Sequence, residues 1–239
     1  MKITDRIYKT SGVEYGTNSN TFAVDTGNGI ILFDLGFETK QWDTVHSVLR
    51  EWKLDGKPIA ASFLTHGHYD HAGNTCRANE ACIPVYAADP DAYKITNGYP
   101  EMEKLFGRPW VKGNVDHLIR DGEVFVYGDV RITAVAAPGH SEGSFAFVIE
   151  ADGHRALCTG DMFYVRPLPP LDDIDLELAY MGGEDFSLSA FTATLERMAQ
   201  LHCDILLPGH YYVYYGDVDA LCAKAASMVR NLMEEKEHD

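Results

Sequence analysis

An apolar run at residues 59–64 leads without a break into Thr65-His66-Gly67-His68-Tyr69-Asp70-His71. Four side chains able to bind a cation fall within six residues, just where a buried strand ends. Imidazole nitrogen and carboxylate oxygen suit a borderline divalent cation, zinc first, with iron or manganese as alternatives. So short a loop does not readily wrap all four groups around one ion. The spacing favours a division, with His66 and His68 on one ion and Asp70 and His71 on a second. A catalytic zinc takes about three protein ligands and keeps a position for water, so each ion needs further groups.

Two later strands end in similar words, Ala137-Pro138-Gly139-His140 and Leu207-Pro208-Gly209-His210. Each delivers a histidine on the loop at its C-terminal end, which makes His140 and His210 the natural additions. Asp161, in Thr159-Gly160-Asp161 after another apolar strand, is a candidate bridge between the two ions. The glycine before it lets backbone and metal approach closely. The competing reading is a polar loop whose histidines only form hydrogen bonds. An ordered set of seven groups weighs against it.

Around these words the chain alternates strands and helices. Residues 21–24 and 29–33 read as a hairpin, 40–52 as a helix with Trp42, Val45, Val48, Leu49 and Trp52 on one face, and another helix starts near Asn74. Residues 89–110 are polar and punctuated by proline and glycine, without a clear period. Strands return at 124–127, 130–136, 145–149 and 156–158, and a proline-rich stretch at 166–171 reads as a functional loop over a site. Helices at 187–201 and 218–233 flank a strand at 205–207. Sheet followed by helix, twice, predicts two halves packed as a sandwich with helices outside.

The 239 residues are 46% hydrophobic, enough for a sizeable core. A formal net charge of −16 sets the surface against nucleic acid. No apolar run approaches the roughly 18 residues of a membrane span, and residues 1–10 show no signal-peptide core. Five cysteines, an odd number without a C-x-x-C pair, predict free thiols and a cytoplasmic protein.

The series His66-x-His68-x-Asp70-His71, Pro138-Gly139-His140-Ser141-Glu142-Gly143-Ser144, Gly160-Asp161 and Pro208-Gly209-His210 resembles the motif series of the metallo-β-lactamase superfamily. The resemblance covers nearly the whole chain, and residues 18–37 look like the family's first hairpin. It implies an α/β fold, the αββα sandwich of two β-sheets flanked by helices, with residues 1–239 as one domain. It implies a first metal on His66, His68 and His140, a second on Asp70, His71 and His210, and Asp161 between them. The matching chemistry is a hydroxide shared by two metals attacking a polarised carbonyl, with Asp70 and the second metal stabilising the leaving alkoxide or thiolate. Tyr164 resembles a tyrosine of the acyl-homoserine lactonase branch, which implies an oxyanion-stabilising role. Packing is the alternative for Tyr164, as for Tyr211 and Tyr212. Asp34 is expected to orient a ligand or support the fold. His46, His117, His154, His202 and His238 are expected to be ordinary surface or core residues.

The resemblance implies a hydrolase for a small ester-type substrate, a thioester as in glyoxalase II or a lactone. The glyoxalase II branch carries a basic C-terminal helical domain, whereas here Lys224, Arg230 and Lys236 are the few basic residues after His210. That contrast and Tyr164 shift weight to a lactone. The alternatives are a mononuclear iron persulfide dioxygenase on His66, His140 and Asp161, and a non-catalytic binding protein on the same scaffold. Homo-oligomers stay open.

Overall fold

The computed structural model describes residues 1–168, 173–179 and 186–237. The first sheet runs in the order β1 (Ile7–Ser11), β2 (Thr21–Asp25), β3 (Ile30–Phe33), β4 (Ile59–Phe63), β5 (Val85–Ala87) and β6 (His117–Leu118). Strands β1 to β3 are antiparallel, and β3 to β6 are parallel. Parallel neighbours need a crossover rather than a tight turn. Helix α1 (Glu38–Glu51) carries the chain from β3 to β4, α2 (Tyr69–Ala72) and α3 (Thr75–Glu80) from β4 to β5, and α4 (Asp91–Asn97) and α5 (Pro100–Phe106) from β5 to β6.

An antiparallel run, β7 (Val124–Tyr127), β8 (Val130–Ala136), β9 (Phe145–Ala151) and β10 (His154–Gly160), opens the second sheet. The chain then leaves it for an antiparallel pair, β11 (Phe163–Leu168) and β12 (Asp173–Leu178), and passes through α6 (Leu188–Met198). It returns as β13 (Ile205–Pro208), parallel to β10, adds β14 (Tyr214–Tyr215) and ends in α7 (Val218–Glu237).

The alternation of side chains along each strand sorts the core into three layers. Ile31 and Phe33 of β3, with Phe145, Phe147 and Ile149 of β9, fill the space between the sheets. Ile30 and Leu32 face the other way, onto Val45 and Leu49 of α1. Ala146 and Val148 of β9 face Phe191 and Leu195 of α6 and Ala225 and Val229 of α7. The result is the expected αββα sandwich. Phe63 lies at its centre, fully buried, with ring centroids 5.7 Å from Phe33, 5.5 Å from Phe147 and 4.8 Å from Phe125. No helix among the described residues is long and apolar enough to cross a membrane.

Two expectations need correction, and two segments left without a structural reading now have one. Residues 166–168 continue strand β11, with Arg166 opposite Asp175 and Pro167 opposite Ile174. A two-stranded ladder is all edge, and an edge tolerates proline. Residues 169–171 of the same stretch, like His238, lie outside the described residues. Strand β1 is buried along its whole length, and even its Lys9 is 0% exposed, the ammonium held by Glu14 and the Tyr211 carbonyl. On α1 the buried polar residue is Gln41, whose amide donates to Ser11 Oγ and to the Ser19 carbonyl, while Trp52 is partly exposed. The segment without a period, 89–110, forms α4 and α5.

Candidate metal centre

The strand ends of both sheets converge on one place. Asp34 follows β3, the His66–His71 run follows β4, and His140, Asp161 and His210 follow β8, β10 and β13. All seven proposed ligands come together there in two groups. His66, His68 and His140 form one, and Asp70, His71, Asp161 and His210 form the other. Within each group the ligand atoms lie within 4.8 Å of one another, and every residue but His210 is buried. Asp161 reaches towards both: its Oδ2 is 3.3 Å from His210 Nε2 and 3.7 Å from His140 Nε2.

The hydrogen bonds assign the ring nitrogens. Asp34 accepts from His71 Nδ1 at 2.8 Å and from the Thr65 hydroxyl at 2.8 Å. With its proton committed to Asp34, Thr65 Oγ1 accepts from His66 Nδ1 at 3.0 Å. That leaves His66 Nε2 as a bare acceptor, buried and without a partner. His140 Nδ1 donates to the Ala179 carbonyl at 2.9 Å, which turns its Nε2 towards His68 Nδ1, also 2.9 Å away. Asp161 Oδ1 stands 3.2 Å from His71 Nε2 without a well-aligned hydrogen bond. Buried polar atoms ordinarily find partners. An orphaned imidazole nitrogen inside a ring of lone pairs is what a divalent cation satisfies, so the donor set fits two such ions.

The electrostatics divide the same way. Burial, reinforced by neighbouring rings, holds His66 well below the usual imidazole range and His68 down to about 3. These rings are neutral, as ligands must be. In the second group burial also opposes charge on the histidines, but Asp161 and Asp70 outweigh it. His71 is raised well above its ordinary value and His210 to about 9. Burial would raise Asp161, yet His71 and His210 pull it far down. Protons there balance carboxylates that a cation would otherwise balance.

Further residues support the ligands. Asn18 Nδ2 donates to Asp70 Oδ2 at 3.3 Å, and Ser19 Oγ donates to the Asp70 carbonyl. Asn20 ties down the last ligand loop: its backbone N–H donates to the Gly209 carbonyl at 2.7 Å and its side chain to the Pro208 carbonyl at 2.8 Å. Sequence reasoning missed these residues, and Asp91 as well, which accepts from Gly67 N–H. Tyr164 comes to the site as expected. Its ring packs edge-on against His210 at 5.2 Å, and its hydroxyl bonds Asp161. Burial, then the Asp161 charge, raises this phenol well above its ordinary value, so it stays protonated and able to donate. Tyr211, with φ 61°, packs on Tyr164 at 5.5 Å, while Tyr212 is exposed. His117, His154 and His202 pair with Glu123, Asp204 and Asp219 away from the site, and His46 packs on Trp42.

The sequence model of the metallo-β-lactamase superfamily matches residues 15–210. The chain belongs to that superfamily. Among metallo-β-lactamase structures it superposes on the Cronobacter sakazakii enzyme with an HARLDQ motif at a TM-score of 0.77 and 18% identity, covering 100% of this chain and 93% of that one. A B3 metallo-β-lactamase with an active-site glutamic acid gives 0.75 and 23%, covering 100% and 91%. At these identities the structures establish the fold. Among curated relatives, the atrochrysone carboxyl ACP thioesterase of Emericella nidulans is 25% identical over 99% of this chain and 64% of its own length. The thioesterase pkgB of the same organism is 31% identical over 80% of this chain and 45% of its own. The chain thus spans less than two thirds of either relative.

Proposed function

We propose that this metallo-β-lactamase-like chain, one domain over residues 1–239, is a hydrolase that holds two divalent cations, zinc in the first instance, and cleaves a small ester-type substrate. The observation that carries the reading is the pair of complete donor groups, with Asp161 of the second group reaching to 3.7 Å from His140 of the first. Bound there, the cations would supply Lewis acidity, polarising a carbonyl oxygen and acidifying a water.

The chain's own residues do the rest. Asp34 fixes the ring of His71, and Thr65 that of His66, so their free nitrogens face the site. Asp70, with Oδ2 3.2 Å from His210 Nε2, serves the side from which the alkoxide or thiolate leaves. Tyr164 donates its hydroxyl to the oxygen on which negative charge develops. Thioesterase activity among the curated relatives favours a thioester over a lactone. The five cysteines are all free, which supports a cytoplasmic place of action.

Thioesterases among the curated relatives favour hydrolysis over the mononuclear iron dioxygenase, which would use His66, His140 and Asp161. Retention of all seven ligands argues against a non-catalytic binding protein. The test is a panel of acyl thioesters, lactones and phosphodiesters offered to zinc-loaded protein, with thiol release or acid production as the readout. Thioester turnover that disappears on chelation and returns with metal is expected. Oxygen consumption on a persulfide with one bound iron, and no hydrolysis of any ester, would overturn the reading.

A further inference from the structure

Asp91, the first residue of α4, is a fully buried carboxylate that belongs to neither donor group. Its Oδ2 accepts from the backbone N–H of Gly67 at 2.7 Å and from the hydroxyl of Ser141 at 2.7 Å. Gly67 lies between His66 and His68, and Ser141 follows His140. One oxygen atom therefore touches both loops that supply the three-histidine group, one loop from each sheet. The contact is close on every side. A Cβ on Gly67 would stand 3.0 Å from Asp91 Cβ, and a Cβ on Gly143 would stand 2.6 Å from Asp91 Cγ. Glycine at both places lets the two loops close onto the carboxylate. Ser141 is fixed in turn by Ser144, whose Oγ lies 2.7 Å from Ser141 Oγ and accepts from Ser141 N–H.

Charge-assisted bonds of this kind are roughly twice as strong as neutral ones. Removing the carboxylate would leave the buried Gly67 N–H without its acceptor. We infer that Asp91 is the positioning residue of the three-histidine group, setting the distance and orientation of His66 and His68 relative to His140. The inference rests on the two-cation reading above. It concerns one half of the site only, since Asp70, His71 and His210 are held by other residues: Asn18, Ser19, Asn20 and Asp34.

The test measures metal affinity and does not depend on turnover. Metal-free protein is titrated with zinc against a chromophoric chelator to resolve the two stepwise dissociation constants, and His140→Ala identifies the step that belongs to the three-histidine group. Asp91→Ala should weaken that step about 10–100-fold and leave the other within about twofold, as expected for loss of a group that orients ligands. Asp91→Asn keeps an acceptor oxygen of the same reach and should restore most of the affinity. Asp204→Asn, at the exposed pair with His154, should change neither step. If Asp91→Ala does not fold, Ser141→Ala removes one arm of the same clamp and should weaken the same step by a smaller factor. Equal weakening of both steps would reduce Asp91 to a general support of the fold and overturn the inference. So would unchanged affinity in Asp91→Ala or, where that variant does not fold, in Ser141→Ala. A wild-type protein that takes up no divalent cation would instead overturn the two-cation reading itself.

Discussion

Gly209→Ala adds one methyl group at the most crowded point of the site. A Cβ there would stand 2.0 Å from Asp161 Oδ1, 2.9 Å from the Gly160 carbonyl carbon and 2.9 Å from His71 Cε1. The backbone cannot swing away cheaply. Gly209 N–H donates to the Gly160 carbonyl at 2.9 Å, and the Gly209 carbonyl accepts from Asn20 N–H at 2.7 Å. The Asp161 carboxylate must therefore move, by about 1.4 Å, to reach an ordinary contact distance. Metal–ligand distances are kept to about 0.2 Å, so a shift several times larger removes Asp161 from ligation. The expected result is a loss of at least 100-fold in the affinity of one or both cations, with the circular-dichroism spectrum unchanged. Gly56→Ala, where nothing lies within 4 Å of the added carbon, is the control and should bind metal as wild type does. Chelator competition on the refilled proteins measures the difference. Two cations held by Gly209→Ala with unchanged affinity would refute the reasoning that Asp161 is a ligand.

Three further outcomes follow from the geometry. Tyr164→Phe keeps the ring against His210 and deletes the hydroxyl; on the best ester substrate kcat should fall by about 10²–10³ with little change in KM, and an unchanged kcat would leave Tyr164 a packing residue. Phe63→Ala empties the centre of the inter-sheet core and should lower unfolding free energy by about 3–5 kcal/mol in urea titration; a loss below about 1 kcal/mol would mean that the two sheets are not packed on this ring. In native protein a thiol reagent should label Cys82 first and Cys76 next. Cys158, Cys203 and Cys222 should react only after unfolding, because burial raises the thiols of Cys203 and Cys222 to about 12 and that of Cys158 well above its ordinary value. Fast labelling of Cys158 would contradict the described core.

The ligands were legible in the sequence because each sits in a short word at the end of an apolar strand. Spacing within the His66–His71 run and the repeated Pro-Gly-His turn carry local information. Asp91 carries none: its partners Gly67 and Ser141 are 24 and 50 residues away, and it lies in a polar stretch whose two helices are only seven residues each. Helices that short are held by packing rather than by periodicity. Lys9 carries no local information either, since a charged residue in the opening segment gives no sign that Glu14 and a distant carbonyl will bury it. Pro167 marked a break that an edge strand does not require. On α1, Gln41 is buried because its amide satisfies Ser11 and Ser19, whereas Trp52 lies just past the last residue of the helix and is exposed.

The central claim is that two cations share Asp161. Native mass spectrometry of metal-free protein titrated with zinc tests it directly, with Asp161→Ala alongside. The account predicts a limit of two zinc ions per wild-type chain, and weakened binding at both steps in a folded Asp161→Ala protein. A single tightly held ion in wild type under excess zinc, or two ions held by Asp161→Ala as tightly as by wild type, would contradict it.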